Sequence, residues 1–316
     1  MLKKILYENT IQNFLFLFIL IIFLPALHIF INKTINNNTY IFIYGNLNLP
    51  INQTLFFIIF TVFTSISAFL LYYFNYNFNE TFSRILPSFS FIILINYLPI
   101  NHIKPINFLI LPILIELINI LFNAYNQEKV YKYLFNFSFL TSISSFINFN
   151  FIFIILTLYL WLILFRTSNI REYILPLVGL IIPYLIIDTV TFIFSGQTNF
   201  FSILFNRINF NGDYHPEFSI IILFLIFIFL IYNFLKFRHH LKKVKNRKYN
   251  TWIIFSTALL WILYFILHEQ IIVLSIIVFM SFLLTINLTI FEKPFFSKLF
   301  FISLLLLNLV VFLFNI

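Results

Sequence analysis

Two carboxylates, Glu116 and Asp188, each lie within a long apolar stretch of the chain. If those stretches lie in lipid, a charge there costs at least about 2.5 to 3.5 kcal/mol, so each residue must face protein or water. A proton relay, a general base and a partner for a buried basic group are the functional roles open to them. The structural alternative is a neutral acid that is hydrogen-bonded to a neighbouring helix, and Asn119 and Asn123 are ready partners for Glu116.

A second group of polar residues falls in loops that we expect on one side of a membrane. Histidine and carboxylate side chains are the ligands that a metal ion would need. No pair in this group has the i, i+4 spacing that presets a metal site on a helix, so the sequence predicts solvated loop residues and no metal site. Asp213, His215 and Glu217 are candidate substrate-binding residues, and the other members are His102, His268 and Glu269.

The third candidate is a pair of arginines, Arg166 and Arg171, in a short connection between two apolar stretches. A guanidinium group offers a planar fork of donors that suits a lipid phosphate or a lipid-linked phosphate. The alternative is that both arginines orient the chain in a membrane, with Arg171 paired to Glu172 or to an acid in a loop. Either role places this connection at the membrane surface.

Composition settles the class of protein. Of the 316 residues, 62% are hydrophobic and 9% are charged, and the mean hydropathy is +1.01. A soluble domain typically carries about 25% charged residues, so this chain cannot cover a soluble surface. We therefore expect residues 1–316 to form one transmembrane helical domain, without a separate soluble domain. The absence of cysteine excludes disulfides, thiolate zinc sites, iron–sulfur clusters and a cysteine nucleophile, and no cofactor motif is present.

Eleven segments are long and apolar enough to be membrane spans. If Lys3 and Lys4 lie in the cytoplasm and the spans alternate, 16 of the 19 basic residues fall on the cytoplasmic side. This distribution is what the positive-inside rule predicts, and it explains the net charge of +9 without a nucleic-acid partner. We predict an all-α polytopic protein of the bacterial inner membrane with its N-terminus inside and its C-terminus outside. The spans are 13–31, 55–74, 84–99, 106–123, 133–147, 150–166, 173–194, 217–236, 251–267, 270–290 and 296–315.

Three smaller features complete the topology. The fifth and sixth spans are joined by a tight turn at residues 148–150, and the loop 32–54 is rich in turn-forming residues. Helical spacing of apolar residues predicts a short interfacial helix within 195–216. Trp161 and Trp252 fall at cytoplasmic ends of spans, where we expect them to act as anchors at the headgroup boundary.

The region from Leu121 to Asp188 resembles a known family. The pieces that carry the resemblance include Phe137-Ser138-Phe139-Leu140, Arg171-Glu172-Tyr173 and Gly179-Leu180-Ile181-Ile182-Pro183-Tyr184. They look like the central part of an uncharacterised family of Bacteroidetes multi-pass inner-membrane proteins, whose members are often labelled beta-carotene monooxygenase. The family implies a helical membrane fold and assigns no site residues. Only one histidine, His28, lies inside a predicted span, so the sequence predicts no histidine-built iron site.

Three functions remain open from the sequence. The first is a role in cell-envelope assembly on a lipid or a lipid-linked glycan, with Asp188 and Glu116 as candidate catalytic bases and the two arginines as phosphate contacts. The second is a proton-coupled transporter, because Pro112 and Pro183 precede the two acids as in broken helices. The third is a non-catalytic scaffold whose partners are membrane lipids and the subunits of a membrane complex.

Overall fold

The computed structural model describes residues 39–43, 47–51, 53–76, 86–98, 105–125, 127–166, 169–195, 218–237 and 244–290, with residues 19, 303 and 304. Helices make up nearly all of this part of the chain. The exception is an antiparallel strand pair, β1 (Thr39–Ile43) and β2 (Leu47–Ile51), in which Ile41 lies opposite Leu49. The hairpin lies in the loop that we predicted to be turn-forming, and residues 44–46 lie outside the described residues.

The helices follow the chain in a simple order, with two 3₁₀ segments leading into α-helices. The first 3₁₀ segment, Pro105–Leu109, precedes α3, and the second, Phe149–Ile154, precedes α5. The α-helices are α1 (Gln53–Tyr76), α2 (Leu86–Ile95), α3 (Ile110–Ala124), α4 (Tyr131–Ser145), α5 (Ile155–Phe165), α6 (Ile170–Ser195), α7 (Phe218–Phe237), α8 (Val244–Leu267) and α9 (Gln270–Ile290).

Every predicted span between residues 55 and 290 coincides with one of these helical stretches, and the predicted helical class is confirmed. The predicted turn at residues 148–150 is also present, where the side chain of Asn148 accepts a hydrogen bond from the backbone N–H of Asn150. Apart from residues 19, 195, 303 and 304, the spans 13–31 and 296–315 and the interfacial helix in 195–216 lie outside the described residues. Within the described part, four stretches are long and apolar enough to cross a membrane: Ile106–Ala124, Ile170–Phe194, Lys248–Leu267 and Gln270–Asn287.

The chain divides into two compact units, and the first consists of Met1–Pro112, His215–Ile254 and Ile276–Ile316. In this unit α1 packs against α2 and the first 3₁₀ segment. The ring of Phe108 lies edge-on to Phe56 and Phe60, at centroid distances of 6.1 and 4.8 Å. The hydroxyl of Ser88 donates to the backbone carbonyl of Ala68 at 2.7 Å. Aromatic packing and this interhelical hydrogen bond therefore hold α2 against α1.

The second unit consists of Ile113–Tyr214 and Phe255–Ser275, and its principal contact is between α4 and α6. A Cβ atom added to Gly179 would overlap the Oγ atom of Ser138 and lie 3.0 Å from the carbonyl oxygen of Phe135. Only glycine allows this approach of the two helices. Small residues at a helix contact let the backbones come close, which is the main source of packing energy between membrane helices.

Serine side chains extend this close contact along both helices. Ser142 donates to the backbone carbonyl of Leu180 at 2.7 Å, and the hydroxyls of Ser145 and Tyr184 form a short hydrogen bond. Pro183 has no N–H to donate to the carbonyl of Gly179, one turn earlier, and the Ser142 bond holds α4 against the next carbonyl along α6. We call the contact made by Ser138, Ser142 and Ser145 with Gly179, Leu180 and Tyr184 the α4–α6 seam.

Helices α6 and α9 differ sharply in how much protein covers them. Only 17% of the span-length stretch in α6 is buried, whereas 94% of the stretch in α9 is buried. The exposed side chains of α6 are large and apolar, Ile174, Ile181 and Ile186 among them. A long helix with an apolar outer surface is stable in lipid and not in water. These features are compatible with a membrane protein.

Two tryptophans lie elsewhere than expected. Trp161 and Trp252 are both fully buried, and Trp252 packs edge-on against Phe279 at a centroid distance of 5.6 Å. An anchor at the headgroup boundary must keep its ring at the protein surface. Both residues therefore contribute to the helix core, because their large rings fill space between helices.

Replacing Gly179 by Ala should destabilise the protein by about 1 to 3 kcal/mol, because the added methyl group forces the α4–α6 seam apart. Denaturant titration of the purified protein in detergent would measure this change. The double variant Gly179→Ala/Ser138→Gly should recover part of the loss, since it removes the overlapping hydroxyl. Val178→Ala, on the exposed side of α6, is the matched control and should change stability much less. A Gly179→Ala protein as stable as the wild type would contradict the close approach described above.

Candidate functional site

Glu116 begins a line of polar side chains along α3. The amide of Asn119 donates to Oε2 of Glu116 at 3.2 Å, and the amide of Asn123 donates to Oδ1 of Asn119 at 3.1 Å. Glu116 and Asn123 are exposed, and Asn119 is half-buried. We call Glu116, Asn119 and Asn123 the polar ladder. Its remaining oxygen atoms and N–H groups can bond to a ligand rich in hydroxyl groups or to another polar helix.

Asp188 lies in the last third of α6 and is partly exposed. Its backbone carbonyl accepts a hydrogen bond from the hydroxyl of Thr191 at 2.9 Å. Asn119 is the hydrogen-bond partner of Glu116 in the described residues, so the structure does not join the two carboxylates directly. The two carboxylates lie on different helices of the second unit.

Arg166 follows the last residue of α5 and bonds to the connection between α3 and α4. Its guanidinium group donates to the backbone carbonyls of Gln127 and Glu128, the latter at 3.2 Å. The neighbouring ring of Phe165 lies edge-on to Tyr125 at a centroid distance of 5.2 Å. These contacts tie the end of α5 to the α3–α4 connection. They occupy at least two of the five donors that a phosphate contact would use.

Arg171 and Glu172 begin α6, and they differ strongly in exposure. Arg171 is exposed, whereas Glu172 is only 4% exposed. Oε2 of Glu172 is buried without a hydrogen-bond partner, and within the described residues no ion pair joins Glu172 to Arg171. The alternative in which these two neighbours pair is therefore not what the structure shows. Glu172 was missed as a candidate because it stands at the edge of a predicted span, where a solvated carboxylate is the usual expectation.

The beginning of α6 is held against α5 by two tyrosines. The hydroxyl of Tyr159 donates to the backbone carbonyl of Tyr173 at 3.1 Å, and their rings stack at a centroid distance of 6.2 Å. Trp161 lies two residues after Tyr159 on α5 and is fully buried. Its indole Nε1 is buried without a hydrogen-bond partner. A buried acceptor and a buried donor are thus both unpaired at this end of the α5–α6 pair.

Of the remaining candidate residues, His268 and Glu269 lie within the described part of the chain. Asp213, His215, Glu217 and His102 lie outside the described residues. His268 adopts a left-handed conformation with φ of 52° just after α8, and its N–H donates to the carbonyl of Tyr264 at 2.8 Å. The left-handed residue and this hydrogen bond together form the C-terminal cap of α8. In the part of the chain that the structure describes, histidine and carboxylate residues form no group of three or more that could hold a metal ion.

Comparisons with protein-family models, with curated proteins and with solved structures found no match for this chain. The pieces Phe137 to Leu140 and Gly179 to Tyr184, which carry the resemblance described above, contact each other in the α4–α6 seam. The resemblance itself stays a prediction. Arguments about function therefore depend on the geometry of the chain's own residues.

Replacing Arg166 and Arg171 one at a time should separate a structural arginine from a solvated one. Arg166→Gln should lower the free energy of unfolding by about 1 to 3 kcal/mol, because two backbone carbonyls lose charged donors. Arg171→Gln should change it by less than about 0.5 kcal/mol, since its side chain is exposed. Denaturant titration in detergent measures both values. Equal stabilities of the two variants would show that the bonds to Gln127 and Glu128 do not hold the α3–α4 connection.

Proposed function

We propose that this chain is a multi-pass protein of the bacterial inner membrane that acts in cell-envelope assembly on a lipid or a lipid-linked glycan. The proposed topology has about eleven crossing helices, the N-terminus in the cytoplasm and the C-terminus on the opposite side. The 16 to 3 division of basic residues supports the orientation. The apolar outer surface of α6, with Arg171 exposed at one end, is compatible with a helix that runs from headgroup to headgroup.

The polar ladder on α3 is the observation that carries the proposed activity. It belongs to a stretch, Ile106–Ala124, that is long and apolar enough to cross a membrane, yet Glu116 and Asn123 are exposed. A polar group at membrane depth needs a polar partner, because hydrocarbon offers no hydrogen bonds. Sugar hydroxyl groups both donate and accept, as the ladder does. In this proposal the glycan of a lipid-linked substrate reaches these groups in a cavity between helices.

The candidate residues then have distinct roles. Glu116 and Asp188 are the candidate bases that accept a proton from a substrate hydroxyl. Arg171, exposed at the start of α6, is a phosphate contact, whereas Arg166 serves chiefly to fix the α3–α4 connection. Asp213, His215 and Glu217 remain proposed contacts for the polar part of the substrate.

The two alternative functions are a transporter and a scaffold, and one observation bears on each of them. The transporter depends on broken helices, and α6 continues from Ile170 to Ser195 through both Pro176 and Pro183. The continuous helix favours envelope assembly over transport. The scaffold is favoured by the polar ladder, since exposed asparagine and glutamate side chains also pair with polar residues of a partner helix. The experiments below give the three functions different outcomes.

Reporter fusions along the chain test the proposed topology. Fusions after Gln127, and between Arg166 and Asn169, should report a cytoplasmic location, whereas fusions at Asn148 and at the C-terminus should report the opposite side. Alternation follows from helices that each cross the membrane once. Paired cytoplasmic and external reporters at each site provide the internal control. A C-terminal reporter on the same side as the N-terminus would reject the proposed orientation.

Neutralising the carboxylates tests the proposed activity. In the bacterium, Glu116→Gln and Asp188→Asn should each change the amount of an envelope glycan or lipid at least ten-fold, since general acid–base groups typically contribute about 100- to 10,000-fold. Mass spectrometry of extracted lipids and glycans measures the change. Glu128→Gln, an exposed acid, and Thr189→Ala, the exposed neighbour of Asp188, are the matched controls.

The same variants separate the alternatives. An unchanged envelope, together with loss of proton-coupled uptake in both acid variants, would replace the proposal with a transporter. If neither property changes and Asn119→Ala releases a co-purifying membrane protein, the chain is a scaffold. Protein levels measured in the membrane fraction exclude loss of the variant protein as the cause.

A further inference from the structure

Glu172 carries one buried carboxylate oxygen, Oε2, that has no hydrogen-bond donor. The residue as a whole is only 4% exposed. Pro176, one helical turn later, has no N–H, so the backbone carbonyl of Glu172 also lacks its usual helical donor. One residue therefore presents two acceptors that its own helix does not satisfy. Burying an unpaired charge is strongly unfavourable, so a donor with positive charge is expected to bind there.

The chemistry of the neighbouring groups narrows the choice of this donor. A bare metal cation needs about six oxygen ligands, and the guanidinium group of Arg171 next to Glu172 would oppose it. A primary ammonium group needs only a few acceptors, because it has three N–H donors. Carboxylate and backbone carbonyl oxygens are suitable partners for these donors. An ammonium group therefore fits Glu172 better than a metal ion does.

The groups beside Glu172 suit an anion that is attached to the ammonium group. Arg171 is exposed at the first turn of α6, where the N-terminal end of a long helix also favours phosphate. A carboxylate next to an arginine thus matches a zwitterion in which ammonium and phosphate are separated by two carbons.

The position of these residues along α6 points to a lipid. The stretch Ile170–Phe194 has 25 residues and spans roughly 37 Å at 1.5 Å per residue, longer than the hydrocarbon layer of about 30 Å. Its first residues therefore reach the headgroup level when the helix crosses the membrane. We propose that Glu172 and Arg171 bind the headgroup of a phosphoethanolamine lipid, with Glu172 holding the ammonium and Arg171 the phosphate. This assignment rests on one part of the proposed function, the location of the protein in a membrane. It does not depend on the proposed reaction.

A binding comparison of two lipids tests the assignment directly. Phosphatidylethanolamine and phosphatidylcholine with identical acyl chains share the phosphate, but the trimethylammonium group of the second has no N–H to donate. Native mass spectrometry of the purified full-length protein should show at least about ten-fold tighter binding of the ethanolamine lipid, as expected for loss of hydrogen bonds to a charged group. Equal binding of the two lipids to the wild-type protein would overturn the proposal.

Two variants and one control test which group of the lipid Glu172 and Arg171 each bind. Glu172→Gln should bring the binding ratio of the two lipids close to one, and it should fold, because it removes an unpaired buried charge without changing shape. Arg171→Gln should weaken both lipids equally and leave their ratio unchanged. Glu128→Gln, which removes an exposed acid of the same unit, should bind as the wild type does. A Glu172→Gln protein that keeps the wild-type ratio would overturn the role of Glu172.

A competition experiment tests whether the site binds a lipid or a soluble compound with the same headgroup. Soluble O-phosphoethanolamine at millimolar concentration should not displace the lipid, because acyl chains contribute much of the affinity at a membrane surface. Displacement would instead assign the site to a soluble ligand and overturn the lipid assignment. Since binding is measured on purified protein, an unchanged envelope in the acid variants would count against the proposed reaction alone.

Discussion

The contact between Gly179 and Ser138 is the constraint on which the second unit depends. Because α6 has no side chain at this point, its backbone can approach α4 closely enough for Ser142 and Ser145 to reach hydrogen-bond partners on α6. The tyrosine pair then fixes α5 against the beginning of α6. The opposite surface of α6 is exposed and apolar, which is compatible with a helix in contact with lipid.

Most buried polar groups in this unit follow one rule. Buried hydroxyls bond to backbone carbonyls, as Thr141 does to Phe137 at 2.8 Å, and the polar ladder is bonded internally. Such pairing is required where no water is available to hydrogen-bond. Among the described residues, the buried atoms that depart from the rule include Oε2 of Glu172, the one carboxylate oxygen among them, together with Nε1 of Trp161 and Oγ of Ser256. Glu172 is informative because stability alone would favour an uncharged residue at this buried position.

Helix positions could be predicted from the sequence, because hydropathy averages over a whole turn and is insensitive to which side faces a neighbour. The predicted span 270–290 therefore matches α9. Burial could not be predicted in the same way. Glu172 and Arg171 have similar surroundings in sequence but opposite exposure, because exposure depends on which helix lies alongside. The same reason explains why Trp161, expected at the headgroup boundary, lies in the core. A proline four residues after an acid was the one available signal for Glu172.

The almost complete enclosure of α9 has a consequence for how variation acts on this chain. Its apolar residues contact other side chains on every side, so 94% of the span-length stretch is covered by protein. Lipid tails adapt to any apolar shape, whereas packed side chains do not. On α9 the volume of each side chain therefore matters as much as its hydropathy. An exchange such as Ile276→Phe would be neutral on a lipid-facing helix, but on α9 it would disturb the packing of the helices. Exchange among apolar residues should therefore be tolerated on the exposed side of α6 and restricted on α9.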